Sequence, residues 1–595
     1  MILKSLNYQL LLREINLFRK QFNIIIFFII MLDKSIEFNL PIIYLEKKYK
    51  ITQNIKSDLE LVDISNQSLY NKIISSDKNF STKLTNKWSE YYTTDTKFLL
   101  DYQSFLKKYK PISETFNKSN IIEVEKIIHE IDNETGFYEK YKYIDINFLK
   151  DINKSASMLQ ILTLYNLTAP VLSIAVPILM LIIPFFLIKF QGHPVTLKMY
   201  ISTLVKLFKH HALGQIFSKY SEADLNQKLF LLFSLGFYIF NIYQNIHSCI
   251  VFYKNLYKIQ NNLSNINQFI EISINNIDNI NKYSKKSFHK FLDKNNYVKL
   301  QLLQFKSDLD KIQLSKLKIT HIAQIGNILK CFYELFTNNL YNEILKYCID
   351  LHYYLLNIEN IQRHISNKKL NFCKFSENKT SFKGAYFISL IDEVPITNDY
   401  NLDKQILITG PNAAGKTTLL KTTLFNIILS QQLGLGCYKR ANVNTYKYIH
   451  SYINIPDTSQ RDSLFQAEAR RCKEILDSLS HSESEKDRHF CIFDEIFSGT
   501  NPTEAIASAY SFLNYIAQYK NLDYILTTHY VKLCKLLDNN NNLSNKHMKI
   551  ENDSSTYKLE NGISKIKGGI KVLKDLNYNE IIIEEANKVI NDIDI

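Results

Sequence analysis

The stretch Ile406-Leu-Ile-Thr-Gly410-Pro-Asn-Ala-Ala-Gly-Lys416-Thr-Thr418 has residue types and spacing suited to holding a phosphorylated ligand. Gly410 to Thr417 fit G-x-x-x-x-G-K-[ST] with no mismatch. A loop of Gly410, Pro411, Asn412, Ala413, Ala414 and Gly415 turns backbone N–H groups inward onto phosphate oxygens. Lys416 adds a point charge near the β- and γ-phosphates. The Thr417 hydroxyl is suited to Mg2+, and Thr417 and Thr418 open a helix whose N-terminus faces the anion. The plain alternative is a glycine turn before a helix. The apolar run before the loop and the helical pattern after it favour the phosphate reading, and so do the segments that follow.

Phe490-Cys-Ile-Phe493 is an apolar run that ends in Asp494-Glu495. A buried parallel strand would deliver both carboxylates at its C-terminal edge. Asp494 would there support Mg2+ through water, and Glu495 would orient or activate an attacking water. A third run, Tyr524-Ile-Leu-Thr527, leads to Thr528-His529, which puts His529 where it could sense a γ-phosphate or hold the water. Taken alone, such a histidine is more often structural. Ser463-Leu-Phe-Gln466 reads as a capping box, with Ser463 as N-cap and Gln466 reaching back. That arrangement leaves a hydroxyl and free helix N–H groups facing outward, suited to a phosphate held by another subunit.

These residues need a sheet and helices to position them, and the chain supplies both from about residue 370 onward. Nine of the fourteen glycines lie from Gly384 on, and strand-like and helix-like runs alternate there, which predicts an α/β domain. Lys416 to Gln432 should be a helix that ends near Gly434. The 595 residues allow several domains, and the 46% apolar content argues against global disorder. Net charge is +14, which suits a polyanionic partner. Only eight of the 72 basic residues are Arg, so a coding bias toward Lys is an equal explanation. The eight cysteines are scattered with no C-x-x-C, as expected of a reducing, intracellular compartment without a zinc site or disulfide framework.

Ahead of residue 370 the chain reads as mainly helical. Gln21 to Leu32 is uncharged but short for a membrane span, and it reads as a buried helix or strand. Ala169 to Ile188 has twenty residues without a charge, long enough to cross a hydrocarbon core. Pro170, Pro177 and Pro184 recur in it every seven residues, which membrane helices tolerate better than soluble ones. Leu229 to Tyr253 is a second uncharged run. The connection between the two carries six Lys against Glu222 and Asp224, which runs against the positive-inside tendency for a transmembrane hairpin. A proline-interrupted core segment is the other reading. No glycine falls between Gly236 and Gly326, as long helices would allow.

In order and spacing, these parts resemble the ATPase domain of the MutS family of DNA mismatch-repair proteins. Asn398-Asp399 followed by Ile406 to Thr418 resembles the family's N-D … ITGPNxxGKST. Ser463-Leu-Phe-Gln-Ala-Glu468 resembles STFMxE, Asp494 to Thr500 resembles DExGxGT, and Thr528-His529-Tyr530 resembles ATHY. Tyr557, Gly562, Ser564, Gly569-Ile570 and Val572-Leu573 resemble the closing segment. The L-S-G-G-Q signature of transporter-type ABC ATPases is replaced by Ser463-Leu-Phe. The resemblance implies an α/β P-loop domain of the ABC type over residues 371–595, binding ATP and Mg2+, dimeric, with Ser463 acting in trans, and moving on DNA through helical levers. Residues 1–155 then form a helical N-terminal region, 156–253 an apolar region of transmembrane or core helices, and 254–370 a lever-like module.

The chain departs from the family in four respects. Gly136-Phe-Tyr-Glu139 lacks one residue of the family's G-x-F-Y-E stacking motif, Phe332-Tyr-Glu-Leu-Phe336 sits too near the ATPase segment, and both read as chance matches. Gly436-Cys-Tyr-Lys-Arg-Ala441 replaces G-x-x-V-P-A, and the approach to Ser463 is Thr458-Ser-Gln-Arg-Asp462. The long apolar run is foreign to mismatch sensors. Two functions follow from this: a DNA-binding ATPase in mismatch repair or related DNA maintenance, and a membrane-associated ATPase switch that does not read mismatches.

Overall fold

The computed structural model describes residues 36–62, 68–74, 84–112, 118–133, 135–208, 224–312, 323–377, 379–453, 455, 463–482, 484, 486–538, 540–551, 554–564, 573 and 576–592. The expectations placed on Gln21–Leu32, Thr458–Asp462 and Gly569-Ile570 lie outside the described residues. The chain forms two compact units, each assembled from separated stretches. One draws on Glu114–Asn275 and Val298–Tyr347, the other on Phe38–Ser113, Asn276–Tyr297 and Cys348–Ile595.

The first unit is helical. Helix α1, Ala156–Phe190, starts at the N-cap Ser155 and runs unbroken through all three prolines. Helix α2, Leu197–Phe208, follows, and then α3, Leu225–Tyr283, of 59 residues. Within this unit the buried residues of α3 include Phe252, Leu256, Ile259, Leu263, Ile266 and Ile270, spaced by three and four along an apolar stripe that Phe269 and Ile274 widen. The start of α1 packs on α4, Ile325–Thr337, where Gly326 is required. A Cβ there would lie 2.1 Å from the Ala156 carbonyl oxygen, and the Gly326 N–H donates to Gln160 Oε1 at 2.8 Å. Phe137 and Phe336 stack with ring centroids 3.6 Å apart, and Phe137 is buried. Both aromatic matches noted in the sequence therefore lie in a core cluster, not on an exposed stacking wedge.

The second unit is built on a six-stranded sheet. Its strands are β1 (Gln405–Thr409), β2 (Tyr448–Tyr452), β3 (His489–Asp494), β4 (Leu522–Thr528), β5 (Leu543–Glu551) and β6 (Ser554–Asn561). The spatial order is β2-β3-β4-β1-β5-β6, parallel except for the antiparallel edge pair β5-β6. Residues His489 to Phe493 are all buried, the continuous pattern of a parallel strand covered on both faces. Helix α5, Lys416–Leu433, is buried nearly all round and ends at Gly434 in the left-handed conformation. Its buried polar residues face backbone groups. The Gln432 amide donates to the carbonyls of Trp88 and Tyr91 at 2.7 and 2.8 Å, and the Gln431 amide to those of Thr93 and Tyr446. The early segment Phe38–Ser113 is thereby fastened to the helix behind the glycine loop. Helices α6 (Leu464–Ser480) and α7 (Pro502–Ile516) pack on the same core as β3 and β4. The result is a mixed sheet flanked by helices.

Candidate functional site

The glycine loop leaves the C-terminal end of β1 and enters α5. Two residues take left-handed backbone angles there, Ala413 at φ 60° and Gly415 at φ 90°. Gly415 is the N-cap, and a Cβ on it would lie 2.9 Å from the Tyr557 ring. The ring thus walls the loop, on a strand that Asn398 holds: its amide donates to the Tyr557 carbonyl at 3.0 Å and its carbonyl accepts from the Leu559 N–H at 2.8 Å.

The Lys416 side chain is buried, and its ammonium has three acceptors. These are the carbonyls of Gly410 (2.8 Å) and Pro411 (3.2 Å) and the Glu495 carboxylate (3.3 Å). The Thr417 hydroxyl donates to Asp494 Oδ2 at 2.7 Å, and the Thr527 hydroxyl donates to Asp494 Oδ1. Asp494 ends β3 and Thr527 lies on the neighbouring β4, paired with it in register. Glu495 follows in a left-handed conformation, φ 52°, its N–H bound to the Thr527 carbonyl. His529, just beyond β4, sets Nδ1 3.5 Å from Glu495 Oε2. The His529 hydrogen bond lowers the Glu495 carboxyl below its ordinary value; burial opposes this and Lys416 adds to it. Glu495 is therefore a carboxylate at neutral pH.

Lys416, Thr417, Asp494, Glu495 and His529 thus meet at the C-terminal edge of three adjacent parallel strands, where α/β sheets hold ligands. Ser463 stands apart from them. Among the described residues its hydroxyl accepts the Gln466 N–H at 3.4 Å, while its own N–H donates to Gln466 Oε1 at 3.0 Å, completing the capping box. Its side chain is exposed.

The sequence reading gave no role to Glu468. That carboxylate is buried and accepts from the Ser498 N–H and hydroxyl, both at 3.0 Å, and from the Gly499 N–H at 3.1 Å. It fixes the turn that follows Glu495. The turn lies so close to α6 that a Cβ on Gly499 would come within 2.7 Å of Leu464 and 2.8 Å of the Phe465 nitrogen. Thr527 was missed as well. Its only signal was a hydroxyl at the end of a strand already expected to reach the site.

The residues suit a Mg2+-bound triphosphate. The first N–H groups of α5 have no intrahelical acceptor. Only glycine leaves room at 415 beside Tyr557. The Thr417 hydroxyl and Asp494 carboxylate are the hard oxygen donors that Mg2+ takes.

This fold and site define a helix-flanked mixed sheet with a glycine loop at its edge, and the relatives agree with the motifs. Residues 406–594 match the family model of MutS domain V. The chain is 32% identical over 206 residues to the endonuclease MutS2 of Agathobacter rectalis, covering 34% of this chain and 25% of that protein. It is 28% identical over 209 residues to the DNA mismatch repair protein MutS of Christiangramia forsetii, covering 33% and 23%. The MutS2 endonuclease of Staphylococcus carnosus matches at 28% over 223 residues, 36% and 28%. The C-terminal part of the chain is thus of MutS type, and the matches span about a quarter of each relative's length.

Proposed function

We propose that the second unit is a Mg2+-dependent P-loop ATPase of MutS type acting on DNA, in mismatch repair or a related maintenance task. The observation that carries this is the meeting of Lys416, Thr417, Asp494, Glu495 and His529 at one sheet edge. Bound Mg2+ would neutralise charge on the β- and γ-phosphates. Lys416 would leave the loop carbonyls for the phosphates, while Thr417 and Asp494 would hold the metal, Asp494 through water. Glu495 would orient the attacking water and accept its proton, with His529 fixing the carboxylate. Ser463 would complete the site of a second copy, which makes the active form a dimer.

The relatives' names support DNA as partner. Their names differ, endonuclease against mismatch repair, and this chain matches about a quarter of the length of each. Neither cutting nor mismatch reading is therefore carried over.

Phosphate release measured with and without plain, mismatched and branched duplexes tests the reading. DNA should change the rate, and the rate per chain should rise with chain concentration. Glu495→Gln should lower hydrolysis by about 10²–10⁴-fold and keep ATP binding. Hydrolysis and affinity indifferent to every DNA would sink the DNA assignment, and normal hydrolysis by Glu495→Gln would sink the assigned base.

A further inference from the structure

Two helices of the first unit expose apolar side chains over more than one face, although Pro184 and Ile188 of α1 are buried. In α1, Leu181, Ile182 and Ile183 are exposed in succession, and so are Phe185, Phe186 and Leu187. At 3.6 residues per turn, three consecutive positions span most of a helix's circumference. In α3, Leu229, Phe230, Leu232, Phe233, Phe237, Ile239 and Phe240 are 51–76% exposed. A groove on a protein partner covers one face of a helix, whereas a hydrocarbon solvent covers every face.

The same helix α3 supplies an internal control. From Phe252 on, its buried apolar residues line one side, while among the described residues from Leu225 to Val251 no large apolar side chain is in the buried core. The character changes within a single helix, where it leaves the body of its unit. Within the chain itself, little packs over either apolar stretch. The apolar stretch of Ala156–Ala175 is 11% buried and that of α3 is 0% buried.

The prolines point the same way. Each lacks an N–H, so the carbonyl four residues earlier loses its helical donor. For Pro177 that carbonyl belongs to Ser173, and the Tyr238 hydroxyl of α3 donates to it at 3.1 Å. Water satisfies a freed carbonyl unaided, but hydrocarbon does not, and a neighbouring helix must then supply the donor. Charges are absent from Ala169 to Ile188 and from Leu229 to Tyr253, and Lys189, Lys228 and Lys254 flank these runs. Leu164 to Lys189 is about 38 Å of helix, against about 30 Å of hydrocarbon.

We infer that α1 and the first half of α3 form a hairpin inserted in a lipid bilayer, with residues 164–188 and 229–251 in the hydrocarbon.

The full chain, purified in detergent, is reconstituted with phosphatidylcholine vesicles and with vesicles containing 30% phosphatidylglycerol, then floated on a gradient. It should float with both and resist washes with 1 M salt and alkaline carbonate. The double variant Ile182→Asp/Phe237→Asp should lose at least 10-fold in flotation while still binding a fluorescent ATP analogue. Lys416→Ala should lose nucleotide and float normally, which separates this proposal from the ATPase reading. Two results would overturn the insertion. One is a chain that stays at the bottom with both vesicles and is monodisperse without detergent. The other is a soluble dimer that the double variant splits, which would give the apolar surface to a second copy.

Discussion

Glu495 lies between His529 and Lys416, so its ionisation reports on both. Its folded-state pKa is below the ordinary 4.5, chiefly because of the His529 hydrogen bond. A depressed carboxyl stabilises the fold above that ordinary value, and the contribution is lost as pH falls through the lower, folded value. Activity that depends on the carboxylate should therefore hold to below pH 4.5 on this group's account. In His529→Ala the opposing effect of burial remains, so the acid limb of the rate should move to higher pH. A pH–rate profile of both proteins checks this, and an unmoved limb would show that the contact does not set the carboxylate. Lys416, Thr417, Asp494 and Glu495 were legible in the sequence because loop, strand end and acidic pair are local patterns. Thr527 and Tyr557 were not. Their relation to the site depends on which strands become neighbours, and β4 beside β3 is a long-range fact.

At the scale of elements, the expected strand before Asp494 and helix from Lys416 appear, the strand longer by a residue at each end and the helix by one. Apolar runs and a terminal glycine fix such segments locally. The turn after Glu495 was less legible because its support comes from α6. Glu468→Ala removes one buried carboxylate and strands three donors. It should cost about 2–3 kcal/mol and lower the thermal midpoint by several degrees. Glu468→Gln keeps one carbonyl acceptor and should cost less. Equal midpoints for Glu468→Ala and the parent would mean that the turn holds itself.

At the scale of the molecule, the +14 charge yields a prediction about salt. If DNA is the partner, log affinity should fall linearly with log salt, by about 0.9 for each phosphate neutralised. Binding measured from 50 to 200 mM salt decides it. A flat dependence assigns the lysines to composition alone. The apolar runs were plain in the sequence, but their solvent was not, because a charge-free helix reads alike in a core and in lipid. The sheet-bearing unit also takes in Phe38–Ser113, whose contacts with Gln431 and Gln432 lie more than 300 residues away along the chain and leave no periodic mark.

The three acceptors around Lys416 amount to an interlock. While the ammonium rests on Glu495, the carboxylate is engaged and poorly placed to take a proton from water. On the ATPase reading, the phosphates draw the ammonium away and release the base in the same event. The site would then be armed by its own substrate, and an empty subunit would carry no primed base to act on anything else.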